Sequence, residues 1–347
     1  MKKIIFILLF QATLINAQTS FIIDDFSSKF YAKIFIDDSS NSIEKFGKTT
    51  IYKKTDNTVL IAVDSVSYIH DFINNKEKIT DNGKLKYSKQ SLIIFDDFNF
   101  DKLPDIAIFN GNYSCYSGPS YEVYLYKNNQ FEYNQDFTNL VINNCGFFEV
   151  NTSEMQLATF TKSGCCFHSS SKYKVVNDFP VEIEREESTY LSHPSFLQVS
   201  KYKLVNDSLN SISSKTFYDP VEGDVAEVLS FELEKNKKKV VVFSSENFNL
   251  NYVLLKSKDE VEFNFPVLKN DVQNNTFTFT INLLSFTNKK VKYEIFQEIS
   301  NKKITKIGIN IYQNGKKTVL NGITKTIKGN LNDLQEMTLE NLILKSK

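Results

Sequence analysis

A chain of 347 residues with 41 acidic and 41 basic side chains is long enough for two domains and lacks the positive surplus that marks a nucleic-acid binder. Its 30 Phe and 17 Tyr stand beside only 11 Gly, 6 Pro and no Trp. Apolar residues alternate over short runs instead of recurring at helical spacing, which reads as an all-β fold.

The chain opens with Met1-Lys2-Lys3, an apolar run from Ile4 to Phe10 and a small residue at Ala17. Two charges, a short apolar core and a small boundary residue make a secretory signal peptide, residues 1–17, cut near Ala17. The run is far below the ~20 residues that span a bilayer, so the mature chain is expected to be exported, periplasmic or extracellular, with no membrane span. No Cys stands at the cut to carry a lipid. Cleavage removes two lysines and leaves a mildly acidic chain.

Strand candidates then follow in close order: 51–54, 59–63, 92–95, 106–110, 122–126, 156–161, 172–176, 181–184 and 201–205. Several are joined by Asp56-Asn57, Asn128-Asn129, Asn177-Asp178 and Asn206-Asp207, residues that tolerate the positive φ of a tight hairpin. The segment Ser171-Lys172-Tyr173-Lys174-Val175-Val176-Asn177-Asp178 recurs as Ser200-Lys201-Tyr202-Lys203-Leu204-Val205-Asn206-Asp207, with a weaker copy at Tyr124–Asn129. Degenerate repeats of strand pairs suit an irregular β-propeller or a meandering sheet over residues 18–220. From residue 225 to 347 eight further strands, with Asn314-Gly315 as a type I′ hairpin signal, read as an antiparallel sandwich or barrel. A short helix over Leu331–Met337, capped by Asn330 or Asn332, closes it.

Asp97-Phe98-Asn99-Phe100-Asp101-Lys102-Leu103-Pro104-Asp105 carries the densest chemistry. Oxygen side chains at loop positions one, three, five and nine (Asp97, Asn99, Asp101, Asp105), with the Leu103 carbonyl at seven, are spaced to wrap a hard cation, calcium in preference to magnesium. Lys102 stands where such loops turn sharply on Gly, and a left-handed Lys costs roughly 1–2 kcal/mol. The alternative is an Asx-rich turn without metal. Further on, Ser117-Gly118-Pro119-Ser120-Tyr121 forms a stiffened loop whose Ser117, Ser120 and Tyr121 hydroxyls, beside Gly118, are candidate contacts to carboxylates of a protein partner.

Cys115, Cys145, Cys165 and Cys166 fall within one short stretch, and in an exported chain they are expected to oxidise; their spacing fits no common zinc pattern. If each repeat is a four-stranded meander, alternating strand direction gathers all four at one end and sends the acidic loop to the other. Cys115 or Cys145 is then expected to pair with Cys165 or Cys166, with a bridge between adjacent cysteines the less favoured outcome.

The run Asp97–Asp105 followed by Gly111–Tyr126 resembles the repeat core of periplasmic β-propeller immunity proteins, which neutralise lysozyme-like toxins delivered by bacterial secretion systems and carry a calcium loop. Ser117-Gly118-x-x-Tyr121 is similar to the short motif of periplasmic lysozyme inhibitors, whose Ser-Gly loop enters the enzyme cleft. The resemblance implies that Ser117 contacts a catalytic carboxylate of a lysozyme-like hydrolase and that Tyr121 braces the loop. It covers Lys33 to Tyr218 in texture, and its specific motifs occupy Asp97–Tyr126 and the hairpin after Cys165. Lys102 departs from the calcium pattern, no second inhibitor loop is identifiable, and the C-terminal domain lies outside the resemblance.

Nothing in the sequence points to an enzyme. The histidines are His70, His168 and His193; His168 beside Cys165-Cys166 suggests a Cys–His nucleophile only if those thiols stay reduced. The P-loop, nucleophile elbow and metalloprotease zinc helix are absent. The chain therefore reads as a binding module, either an inhibitor or immunity protein, or a calcium-stabilised surface or periplasmic interaction protein.

Overall fold

A computed structural model describes residues 18–37, 44–69, 84, 87, 92–191, 195–220, 225–245, 248–266 and 275–345. The signal segment, His70 and His193 lie outside them. Packing divides the chain into two compact units, Met1–Lys162 with Ser169–Arg185, and Ser163–His168 with Glu186–Lys347.

The first unit is a succession of antiparallel meanders, as a degenerate propeller-like domain requires. Strands β1 (Gln18–Ile23), β2 (Phe30–Asp37), β3 (Glu44–Lys53) and β4 (Val59–Ile69) form one sheet in chain order. β5 (Ile93–Asp96), β6 (Asp105–Ser114), β7 (Gly118–Lys127) and β8 (Gln130–Tyr133) form the next. After α1 (Gln135–Ile142) come β9 (Glu149–Asn151), β10 (Gln156–Ser163), β11 (Phe167–Val176) and β12 (Phe179–Tyr190).

Burial follows from the side-chain pattern. In β2 the alternate residues Phe30, Ala32, Ile34 and Ile36 are buried, the period-two signature of a strand with one covered face. In β6 the continuous run Ile106, Ala107, Ile108 and Phe109 is buried, so this strand is covered on both faces. The hairpin turns form as the Asn/Asp pairs dictate. Both turn residues are left-handed at Asn128-Asn129 (φ 49° and 63°), Asn177-Asp178 (51° and 61°) and Asn206-Asp207 (50° and 59°), the backbone of a type I′ turn. Asp56-Asn57 differs, because only Asn57 (φ 61°) is left-handed.

The helix α1 was not anticipated from the alternating texture. Its signals are local: the Asn134 side chain accepts the N–H groups of Asp136 and Phe137, each at 3.0 Å, and Phe137, Leu140 and Val141 fall on the buried face at helical spacing. Thr138 ties the helix to β7 by accepting the Val123 N–H at 3.0 Å.

The second unit contains the hairpin β13 (Phe196–Val205) and β14 (Ser208–Tyr218), followed by a two-sheet sandwich that is antiparallel apart from its C-terminal strand, which pairs in parallel. One sheet joins β15 (Val225–Glu232), β16 (Lys239–Ser245), β17 (Leu250–Leu255) and β18 (Val261–Phe265), with the two-residue β24 (Lys328–Gly329) at its edge. The other has the order β23-β22-β21-β20-β19-β25, where β19 is Phe277–Thr280, β20 Leu283–Asn288, β21 Val291–Ser300, β22 Lys303–Gln313, β23 Lys316–Asn321 and β25 Leu342–Leu344. Phe231, Val240, Tyr252, Phe277, Phe286, Ile295 and Ile307 fill the space between the sheets. The C-terminal helix is a 3-10 turn over Leu331–Glu336, and its cap is Asn330, which accepts the Asn332 N–H at 2.9 Å.

Tyr218 and Val225 both fall inside this second unit. The reason is a separate apolar cluster: Phe196 and Tyr218, the root of the β13–β14 hairpin, pack on Val241, Phe243, Val253 and Leu255. Lys215 also pairs with Glu260 at 3.0 Å. The hairpin carries the repeat motif of β11 but packs with the sandwich.

Candidate functional site

The two loops singled out in the sequence flank β6, one before Asp105 and the other after Ser114. Ten residues of strand rise ~3.3 Å each, so the loops lie at opposite ends of one sheet, as the alternation of strand direction requires.

The tip after β6 is bent by two irregularities, where register slips between Phe109 and Gly111 and between Gly111 and Ser114; bulges of this kind re-aim a strand end. Cys115–Ser117 then makes a single 3-10 turn in which Tyr116 (φ 53°) and Ser117 (φ 56°) are both left-handed. Two such residues without glycine cost about 1–2 kcal/mol each, a strain that persists only where the surroundings hold it. Three features hold it here. A Cys115–Cys145 disulfide, Cα–Cα 4.8 Å, staples the turn to the segment after α1. The Cys115 N–H donates to Asn144 O (3.3 Å), and the Cys145 N–H donates to Phe160 O (2.8 Å). The fully buried Ser120 hydroxyl lies 2.6 Å from Asn110 Oδ1 and 2.9 Å from Gly111 O, and accepts the Tyr113 N–H at 3.2 Å.

This geometry corrects part of the sequence reading. Ser120 and Tyr121 are buried and are not contact residues. The Tyr121 ring packs edge-on against Phe109 and Phe147, and burial pushes its hydroxyl up to about 12, so it braces the tip as a neutral phenol. Gly118 is needed for close approach, since a Cβ there would meet Ser114 Oγ at 2.8 Å and Cys115 O at 3.0 Å. Ser117 alone of the three hydroxyl residues is exposed. Beside it stand groups that the sequence reading passed over: Tyr113 (54% exposed), Tyr116 (62%) and Lys162, whose ammonium sits 4.8 Å from the Tyr116 ring centre. Lys162 is 46 positions further along the chain, and only the fold brings it here.

The cysteine pairing is also corrected. Cys115 bonds Cys145, and Cys165 bonds its neighbour Cys166. The main-chain bonds around residues 144 and 145 seat Cys145 directly against Cys115, leaving two adjacent cysteines in the β10–β11 turn. With both sulfurs bonded, His168 has no thiolate to activate.

The acidic loop is anchored by Phe98, which is fully buried against Phe147 and Phe148. Asp97 accepts the N–H groups of Asp101 (3.1 Å) and Lys102 (2.8 Å), and Asp101 accepts that of Leu103 (2.7 Å). Lys102 takes the left-handed φ of 72° and is exposed, so its charge meets solvent. Asp105 has no exposure, and its two oxygens accept the N–H groups of Phe98 and Tyr126, both at 2.8 Å. Burial pushes its carboxyl up to about 7, against those two hydrogen bonds. The Asn99 amide donates to Asp101 Oδ2 (3.2 Å) and to Asp178 Oδ1 (2.8 Å), and Lys127 pairs with the other Asp178 oxygen. The donors suit a hard cation in kind, and each carboxylate oxygen keeps a second lone pair. Their arrangement is another matter: among the described residues no three His, Cys, Asp or Glu side chains converge to hold a metal ion.

No protein-family model matches this chain, and no curated protein does. Among solved structures it is similar to a Xanthomonas type IV secretion system related protein, with 18% identity, a TM-score of 0.42, and coverage of 58% of this chain and 95% of that one. It is also similar to the periplasmic gluconolactonase PpgL of Pseudomonas aeruginosa, with 9% identity, a TM-score of 0.16 and 88% of each chain covered. TolB of Acinetobacter baumannii aligns at 8% identity and a TM-score of 0.18, over 82% of this chain and 78% of that one. Likenesses this distant bear on neither activity nor partner. Among the described residues no helix is long and apolar enough to cross a membrane.

Proposed function

We propose that this chain is an exported, non-catalytic protein-binding module that engages its partner through the stapled tip, with Ser117, Tyr116 and Lys162 as the contact groups. One observation carries the reading: two exposed, left-handed residues, Tyr116 and Ser117, are held over a disulfide and a buried hydroxyl network. A rigid tip loses little entropy on binding. Two disulfides suit an oxidising compartment, periplasmic or extracellular.

The sharper form of the reading makes the partner a lysozyme-like cell-wall hydrolase. A hydroxyl, an aromatic ring and an ammonium side by side are the groups that would complement a cleft lined by sugar-binding surface and two carboxylates. Peptidoglycan turnover by a panel of muramidases, with and without the protein, tests it. Inhibition by the wild type that drops at least tenfold in Ser117→Ala and Tyr116→Ala is expected. No inhibition of any muramidase would remove the hydrolase as the target.

The second reading is a calcium-stabilised interaction protein with no inhibitory role. It is supported by the all-oxygen donor set of Asp97, Asn99, Asp101, Leu103 and Asp105 and by Lys102 adopting the turn that such a loop needs. Thermal unfolding with calcium and with chelator tests it; identical midpoints would leave the loop as a metal-free Asx turn.

A further inference from the structure

The charge balance of the whole chain conceals a segregation. Residues 283–321, which form β20 to β23, hold eight lysines against two glutamates and no aspartate, so the rest of the chain is net negative. Topology concentrates this surplus. The β20–β21 turn and the β22–β23 turn lie at the same end of the sheet, because Asn288 pairs with Val291, Lys292 with Tyr312, and Gln313 with Lys316. Five exposed lysines meet there: Lys289, Lys290, Lys292, Lys316 and Lys317.

The local acid is already engaged. Glu294 takes Lys292 Nζ at 2.7 Å and the Tyr312 hydroxyl at 2.9 Å, and the ammonium and hydroxyl hold its carboxyl below the usual range despite the opposing effect of burial. Among the described residues, no carboxylate pairs with Lys289, Lys290, Lys316 or Lys317. Register places Lys292, Tyr312 and Lys317 side by side on three adjacent strands, and the two ammonium groups sit 5.9 and 5.6 Å from the Tyr312 ring centre. Strands are ~4.8 Å apart, so this cation–ring–cation row spans roughly 10 Å across an uncovered face beside the edge strand β23.

We propose that this face is a docking surface for an anionic polysaccharide. The Tyr312 ring stacks a sugar, and the flanking lysines take carboxylate, sulfate or phosphate groups on either side. A lipid surface fits less well, because the turns Asn288–Val291 and Asn314–Lys316 carry no large apolar residue to enter an acyl layer. Nucleic acid fits less well, because the single stacking ring lacks the succession of aromatics used along a strand.

Retention of the full chain on immobilised heparin, eluted with salt, is the test. The wild type is expected to be retained at low ionic strength. The triple variant Lys289→Glu, Lys316→Glu, Lys317→Glu is expected to pass through, while a control with Lys53→Glu, Lys174→Glu and Lys235→Glu elutes close to wild type. Tyr312→Phe keeps retention and Tyr312→Ala loses about half of the eluting salt. Circular dichroism confirms that each variant is folded. Equal loss in both triple variants overturns the proposal, as does binding to phosphatidylserine vesicles or single-stranded DNA that equals or exceeds binding to heparin.

Discussion

The two ends of β6 are built by opposite means. At one end a disulfide and a buried serine hydroxyl hold Tyr116 and Ser117 outward, in a conformation they would not keep alone. At the other, Asp97 and Asp101 turn inward onto their own loop's N–H groups, Asp105 accepts those of Phe98 and Tyr126, and Phe98 pins the loop to the core. A covalent staple leaves polar and aromatic groups facing outward, whereas the carboxylates of the acidic loop are turned onto backbone N–H groups. In the proposed function, recognition falls to the first end and stability to the second.

Breaking the staple should have the largest effect. A loop closed by a bond between residues 30 apart contributes about 3–4 kcal/mol through the unfolded chain, so Cys115→Ser with Cys145→Ser is expected to lower the urea midpoint by that equivalent and to abolish partner binding. Asp105→Ala follows, at about 2–4 kcal/mol, because it strands two buried N–H groups. It should leave tip-mediated binding intact, and the pair of variants measured by both readouts separates the two roles. Ser120→Ala is expected to cost about 1–2 kcal/mol and to weaken binding in proportion, since it removes the brace but not the contacts.

A further effect concerns pH. Asp105 binds its proton more tightly when folded, with a value near 7 against 3.8. Between about pH 4 and pH 7 the folded state therefore holds more protons, and its stability falls as pH rises through that window. Urea midpoints measured in chelator at pH 5 and pH 7 check the sign, and Asp105→Asn should flatten the difference.

Much of this was legible in the residues. The Asn/Asp turn pairs at 128–129, 177–178 and 206–207, the repeated Tyr-Lys hairpin and the I′ signal at Asn314-Gly315 are local backbone chemistry, and each appears where that chemistry puts it. The placement of the two loops at opposite ends of β6 follows from strand alternation alone. What escaped was set by longer-range packing. Ser120 and Tyr121 look like surface hydroxyls until the bulges in β6 fold them inward. Lys162 joins Tyr116 only through the 144–145 segment, and the same segment decided the cysteine pairing. The helix at Gln135–Ile142 carried a readable cap in Asn134, and the strand-rich surroundings obscured it.

The claim that the stapled tip is the binding end is tested most directly by muramidase inhibition measured side by side for wild type, Tyr116→Ala/Ser117→Ala and Asp105→Asn. Inhibition by wild type and by Asp105→Asn is expected, with at least a tenfold loss in the tip variant. Full inhibition by the tip variant together with loss in Asp105→Asn would contradict it and move recognition to the acidic end.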